Sequence, residues 1–292
     1  MADWRTIRKV DSHVHILPAE VLEANPDSDD EFSRARENDL LRIMDRYGIE
    51  RSVIMTFNDP FLLSMDFSVE AVHRNLERIC AAHPGRYAAF ADIDTRNTPA
   101  ASAAACEKAL ERPCFKGIKI HAANTGIAID DSYYDDVLSM AEQGRIPVAF
   151  HSYPNRLRKN VCAPNRIANV LERHPDLIAI VCHLGAFQWK DAVSLNAWFD
   201  ISAILPDYVL KYGVEKTNDI LRSFPVNRLL FATDWPCSRS SPPEDIHERY
   251  FDILDQMDFT ETEAQQIAYG NITKLLWSDQ YVNKESRREK NA

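Results

Sequence analysis

The chain has 292 residues, 45% of them hydrophobic and 27% charged, the balance of an ordinary globular protein. A formal net charge of −10 argues against a general nucleic-acid binder and against an anionic membrane surface as partner. No apolar run reaches the length of a membrane-spanning helix, and the opening "MADWRTIRKV" has no apolar core of signal-peptide length. Six cysteines, at positions 80, 106, 114, 162, 182 and 237, include no CxxC pair, so they read as reduced, buried thiols and the protein as cytoplasmic.

In chain order, the first candidate strand is "KVDSHVHI" (9–16), where period-two alternation places Asp11, His13 and His15 on one face and Val10, Val14 and Ile16 on the other. The helical stretch "DDEFSRARENDLLRIMDRYG" follows, then a strand at 51–57, the helix "DFSVEAVHRNLERICAAHPG" and a strand at 87–93. The helix "PAASAAACEKALER" leads to a strand at 115–122, and "YYDDVLSMAEQG" to one at 146–152. "NRIANVLERHP" precedes a strand at 178–185, which is joined to the strand at 198–203 by "AFQWKDAVSLNA", a segment with room for a short helix only. "DYVLKYGVEKTNDILRSFP" leads to the eighth strand at 228–234, followed by "PEDIHERYFDILDQM", "TETEAQQIAYG" and "NITKLLW". Eight strands alternating with helices predict a parallel sheet closed into a (β/α)8 TIM barrel as one domain, with a core of about residues 9–280 and a charged, disordered tail at 281–292. An open doubly wound sheet is the alternative, but no GxGxxG follows the first strand.

A barrel demands catalytic groups at the C-terminal ends of its strands. Strand one ends in His13 and His15, strand four in Lys119 and His121, strand five in His151, strand six in His183 and strand eight in Asp234. A single strand-end histidine is usually structural. Five that converge on one mouth with an aspartate predict a divalent metal site, since neutral imidazoles and carboxylates suit Zn²⁺, Mn²⁺ or Fe²⁺.

The HxH pair, the His of "AFHSYP", the His of "VCHLGA" and the Asp of "LLFATDWP" resemble the amidohydrolase superfamily, and more closely its amidohydrolase-2 branch. That branch includes aminocarboxymuconate-semialdehyde decarboxylase, resorcylate-type decarboxylases and several lactonases. The resemblance implies one divalent ion, Zn²⁺ or Mn²⁺, held by His13, His15, His151 and Asp234. It further implies Asp234 as proton acceptor and donor, and His183 as the residue that positions water or polarises the substrate. Some superfamily members carry a carboxylated lysine on strand four, which makes Lys119 and His121 candidates for a second metal or for substrate. A lysine paired with a barrel carboxylate is an equal reading of Lys119.

From His151 to Leu171 the sequence carries Arg156, Arg158, Lys159 and Arg166 with no acidic residue, a local reversal of charge that points to a small anionic substrate. Arg239 is a further candidate for a carboxylate, and Tyr153 and Trp235 are candidates for an apolar wall or for packing. The segment "LPAEVLEANPDSDD" is a candidate lid. The leading expectation is a metal-dependent hydrolase of a small carboxylated lactone, ester or amide. The alternatives are a non-oxidative decarboxylase of a small unsaturated or aromatic acid, and a metal-free lactonase or binding barrel. A homo-oligomer is left open.

Overall fold

The computed structural model describes residues 2–17, 36–56, 68–153, 160–237 and 241–278. The expected lid and tail lie outside them, as do Arg156, Arg158, Lys159 and Arg239. Eight parallel strands in sequential order form a (β/α)8 TIM barrel: β1 Lys9–Val14, β2 Ile49–Ile54, β3 Tyr87–Ala91, β4 Phe115–Ile120, β5 Val148–Phe150, β6 Ala179–Val181, β7 Trp198–Asp200 and β8 Leu229–Leu230. The chain beyond β8 closes the ring on β1. Ser12 N–H donates to Phe231 O at 3.0 Å, Asp234 N–H to His13 O at 2.9 Å and His15 N–H to Trp235 O at 2.7 Å.

The helices are α1 Glu37–Tyr47, α2 Val69–Ala82, α3 Pro99–Leu110, α4 Ala122–Thr125, α5 Asp135–Gly144, α6 Pro164–Arg173, α7 Trp189–Ala192, α8 Ile204–Ser223, α9 Ile246–Leu254, α10 Glu261–Gln265 and α11 Asn271–Trp277. Their limits follow local chemistry. Ser68 and Thr98 cap α2 and α3, Pro99 and Pro164 open α3 and α6, and Gly48 ends α1 in the left-handed conformation. The sparse join between β6 and β7 holds the four-residue α7, as its length requires. No helix among the described residues is long and apolar enough to cross a membrane, and all six cysteines are free thiols.

Two apolar clusters sort the strand side chains by face. An inner one gathers Val10, Val53, Phe90, Ala149, Ile180 and Leu230 with Ile272, Leu275 and Leu276 of α11. This last helix plugs the N-terminal end of the barrel, where Asn271 Nδ2 donates to the carbonyls of Val226 and Leu229 at 2.8 and 2.7 Å. The outer cluster packs the opposite strand faces against the helices. With the lower end filled by apolar side chains, polar groups can converge only at the C-terminal mouth. The regular strands are shorter than their apolar runs, because the chain leaves the ladder at the mouth to carry the site. In β5, for example, pairing ends with His151 N–H on Ile120 O at 2.9 Å.

Candidate metal centre

A register irregularity in β1 decides which side chains enter the barrel. Val10 and Val14 would share a face in a regular strand, yet Val10 lies in the inner cluster and Val14 in the outer one. The sense of alternation therefore changes between them, where the pairing with β2 shifts between Asp11 and Val14. His13 and His15 meet inside the mouth, with ring centroids 5.1 Å apart. Asp11 does not share their face, contrary to the alternation read from the sequence; its carboxylate lies against Thr233 and His247 of α9.

Four imidazoles each have one nitrogen committed to an acceptor behind the ring. His13 Nδ1 faces Asp200 Oδ2 at 2.9 Å and His15 Nδ1 faces the Met55 carbonyl at 2.9 Å. His183 Nδ1 faces the Ser202 carbonyl at 3.0 Å, and His151 Nε2 faces the Tyr153 carbonyl at 2.8 Å. Carboxylate and carbonyl oxygens only accept, so each of these nitrogens carries the proton and the opposite nitrogen turns a lone pair into the mouth. Ser202 Oγ fits the same assignment: it donates to Asp200 Oδ1 and accepts from His13 Nδ1 at 3.0 Å and His183 Nδ1 at 2.9 Å.

The inward atoms then face one another as acceptors. His13 Nε2 and His15 Nε2 each lie 3.1 Å from Asp234 Oδ1, and His183 Nε2 lies 3.0 Å from His151 Nδ1. Lone pairs held this close call for positive charge between them. Lys119 Nζ, 3.3 Å from His13 Nε2, supplies one cation at the edge of the group. Ligand atoms of His13, His183 and Asp234 all lie within 4.8 Å of one another, as do those of His15, Asp234 and Cys237 and, deeper, those of His13, Cys182 and Asp200. Neutral imidazoles backed by hydrogen-bond acceptors, together with a carboxylate, form a donor set that fits a divalent cation.

A family model described as Amidohydrolase matches residues 10–276. The chain belongs to the amidohydrolase-2 family. No curated protein sequence gives a significant match. Among solved structures, this amidohydrolase is similar to 2,6-dihydroxybenzoate decarboxylase from Rhizobium, with 17% identity, a TM-score of 0.68 and coverage of 92% of this chain and 98% of that one. It is similar also to 5-carboxyvanillate decarboxylase from Novosphingobium aromaticivorans, crystallised with manganese and 4-hydroxy-3-methoxy-5-nitrobenzoic acid; identity is 13%, TM-score 0.69, and coverage 93% and 96%. A protein described as amidohydrolase II reaches 18% identity and a TM-score of 0.73 over 92% of this chain and all 100% of its own. Identities this low show the common barrel.

In the amidohydrolase, His183 stands on an uncommon backbone. His183, Leu184, Gly185 and Ala186 have φ of 58°, 53°, 76° and 48° in succession. Left-handed geometry costs a non-glycine residue roughly 1–2 kcal/mol. The run is held by His183 N–H on Asp200 Oδ1 at 2.8 Å and Gly185 N–H on Ser152 Oγ at 3.1 Å. Only glycine fits at 185, where a Cβ would sit 2.5 Å from Ala192 Cβ.

The remaining expected residues divide. Lys119 is buried, with Nζ 3.2 Å from Cys182 Sγ as well as beside His13. The His121 ring stacks on His151 at 3.7 Å, and the Tyr153 ring lies 5.8 Å from that of His183, forming a wall beside it. Trp235 is buried in the outer core with Nε1–H on Pro243 O at 3.1 Å, so of its two expected roles the structure places it in packing. Arg166 is occupied by Asp130 Oδ1 at 2.5 Å. Asp200 and Ser202, which orient two of the imidazoles, were not among the residues singled out in the sequence; the signal is the polar pair in "WFDIS" at the end of β7.

The electrostatics keep the cage in its ligating state. Burial, reinforced by Lys119, pushes His13 down to about 4, and burial with the neighbouring imidazoles holds His121 and His151 well below the usual histidine range. Burial would raise Asp200, but the His13 ring whose Nδ1–H it accepts, with His183 and Lys119 nearby, outweighs burial and holds it far below the usual carboxylate range. A pH dependence of stability follows. His13, and His73 on α2, which burial also lowers to about 4, are neutral when folded but take up protons when unfolded, near 6.5. Their stabilisation is complete above 6.5 and is lost as pH falls toward 4. Asp92, pushed up to about 7 by burial, acts in the opposite sense, but it is one group against several imidazoles. Urea unfolding of the metal-free protein should therefore show stability lower at pH 5 than at pH 7.5, by on the order of 2–4 kcal/mol. An equal or higher midpoint at pH 5 would mean the imidazoles accept protons within the fold.

Proposed function

We propose that this amidohydrolase-2 protein is a metal-dependent decarboxylase of a small aromatic or unsaturated carboxylic acid. The observation that carries the metal-dependent part of the reading is the mouth of neutral imidazoles around Asp234; the choice of decarboxylation rests on the solved structures the barrel resembles. That likeness, to decarboxylases of hydroxylated benzoates, extends over more than nine-tenths of both chains. The residues assigned to one ion are His13, His15, His151 and Asp234, with Mn²⁺ or Zn²⁺ as the cation; among the described residues His151 falls in none of the converging groups, where His183 stands with His13 and Asp234, and it meets them through His183 Nε2 at 3.0 Å. When bound, that ion would polarise an oxygen of the substrate or of a water molecule.

The chain's own groups supply the rest. Loss of CO₂ breaks a carbon–carbon bond and leaves its electron pair on the former carboxyl-bearing carbon, which must take up a proton. Asp234, whose Oδ1 lies 3.1 Å from His13 Nε2 and His15 Nε2, is the proposed group to hold and deliver that proton. His183, with Nδ1–H fixed on Ser202 O, presents Nε2 to orient the substrate, and the Tyr153 ring beside it excludes water from that side. Arg156, Arg158 and Arg239 are proposed to attract the anionic substrate.

Hydrolysis of a small carboxylated lactone, ester or amide is the second reading. The histidine pair on β1 suits either reaction, and the adjacent Asp234 is also a suitable acceptor for a proton from attacking water. One experiment separates the two. Protein loaded with Mn²⁺ is incubated with ortho-hydroxybenzoates and with lactones, in D₂O and in H₂¹⁸O. A decarboxylase releases CO₂ and leaves deuterium on the carbon that lost it. Lactone turnover with ¹⁸O in the product acid and no CO₂ from any benzoate would replace the lyase reading with the hydrolase.

A further inference from the structure

We infer that Asp11, His247 and Thr233, outside the barrel wall, form a positioning clamp that sets the geometry of Asp234 and His13. This inference rests on the metal-centre reading above.

All three residues are fully buried. Asp11 Oδ1 accepts from the backbone N–H of His13 at 3.3 Å and of Thr233 at 3.1 Å. Oδ2 accepts from Thr233 Oγ1 at 2.6 Å and from His247 Nε2 at 2.9 Å. One carboxylate thus grips two of the segments that contribute to the cage, β1 and the chain just beyond β8, and α9 anchors it from outside. The segment it grips needs holding, because Asp234 has φ of 69° and belongs to no regular strand. Each peptide N–H around it is tied down: that of Thr233 to Asp11, that of Asp234 to His13 O at 2.9 Å, and that of Trp235 to Thr233 Oγ1 at 3.2 Å.

The irregularity in β1 makes the clamp available. It turns Asp11 outward while His13 and His15 turn inward, so one short segment supplies both the ligating rings and the brace behind them. His247 Nδ1 is buried with no hydrogen-bond partner among the described residues. Helix packing alone would favour an apolar side chain there, whereas the Nε2–H on Asp11 gives the imidazole a purpose. Without it, Asp11 keeps its strand contacts but loses its anchor to α9, and the Asp234 segment gains freedom.

The test compares wild type, His247→Leu, His247→Gln and Thr233→Val, each confirmed folded by circular dichroism at the assay temperature. Mn²⁺ affinity is read by equilibrium titration and the site symmetry by the electron paramagnetic resonance spectrum of bound Mn²⁺. His247→Leu and Thr233→Val are expected to weaken Mn²⁺ binding about tenfold and to alter the spectrum, the size of effect seen when groups behind metal ligands are removed. His247→Gln, which keeps a donor near Nε2, should restore most of the affinity. Variants that lose thermal stability yet bind Mn²⁺ as wild type does, with an unchanged spectrum, would make the trio a packing element and overturn the clamp. Wild type that binds no Mn²⁺ would overturn the metal reading and the clamp together. Thr233→Val keeps the test decisive if His247→Leu does not fold.

Discussion

Replacing His13 and His15 together with alanine is expected to abolish metal uptake and catalysis. Wild type purified without added metal should carry about one equivalent of a divalent ion, the number suited to one cluster of three or four protein ligands. Elemental analysis of the double variant should show background metal only, with activity down by at least about a thousandfold if the metal supplies the main electrostatic stabilisation. The size of the effect follows from geometry. The two rings supply the two Nε2 atoms that lie 3.1 Å from Asp234 Oδ1, so their removal strips Asp234 of its neighbours on that side. Truncating buried rings leaves cavities and costs a few kcal/mol each, so folding must be checked first. The single variants His13→Asn and His15→Asn serve if the double variant unfolds. Two equivalents in wild type would bring the deeper group of His13, Cys182 and Asp200 into use and require Lys119 to move from Cys182. No metal in wild type, and none taken up when offered, would leave a metal-free lactonase or a binding barrel.

Much of this site could be read before any coordinates. The β-branched runs are long enough to mark all eight strands, and the polar residues that interrupt the pattern do so at one end of them, where a barrel gathers its chemistry. What could not be read lies where the chain departs from regular geometry or depends on distant partners. Alternation put Asp11 beside His13, and the shifted pairing of β1 undid it. Nothing in "CHLGA" announces four successive residues of positive φ, from His183 to Ala186. Asp200 is one polar residue at a strand end among several, and its meaning comes from His13, 187 positions away in the chain. The tautomers that make the mouth a set of converging lone pairs depend on backbone carbonyls, which carry no trace in residue identity.

Asp200→Asn is expected to weaken Mn²⁺ binding 10–100-fold in a protein that still folds. Asp200 Oδ2 accepts from His13 Nδ1, while Oδ1 accepts from the N–H groups of His183 and Ser202 and from the Ser202 hydroxyl. Every partner is a donor, and the side chain is buried. Only a carboxylate can receive all of them, because an asparagine must turn its NH₂ toward one side. If the NH₂ faces His13, Nδ1 must accept, the ring proton moves to Nε2 and blocks the nitrogen that faces Asp234. If it faces His183 and Ser202, donors meet donors at the start of the left-handed run and His183 is displaced. Both orientations damage the cage without touching an assigned ligand. ¹⁵N spectra of the imidazoles separate them, since the first places the His13 proton on Nε2 and the second leaves it on Nδ1. A variant that binds Mn²⁺ within about threefold of wild type, with His13 still protonated on Nδ1 and His183 undisturbed, would show that the cage is oriented by packing and not by Asp200.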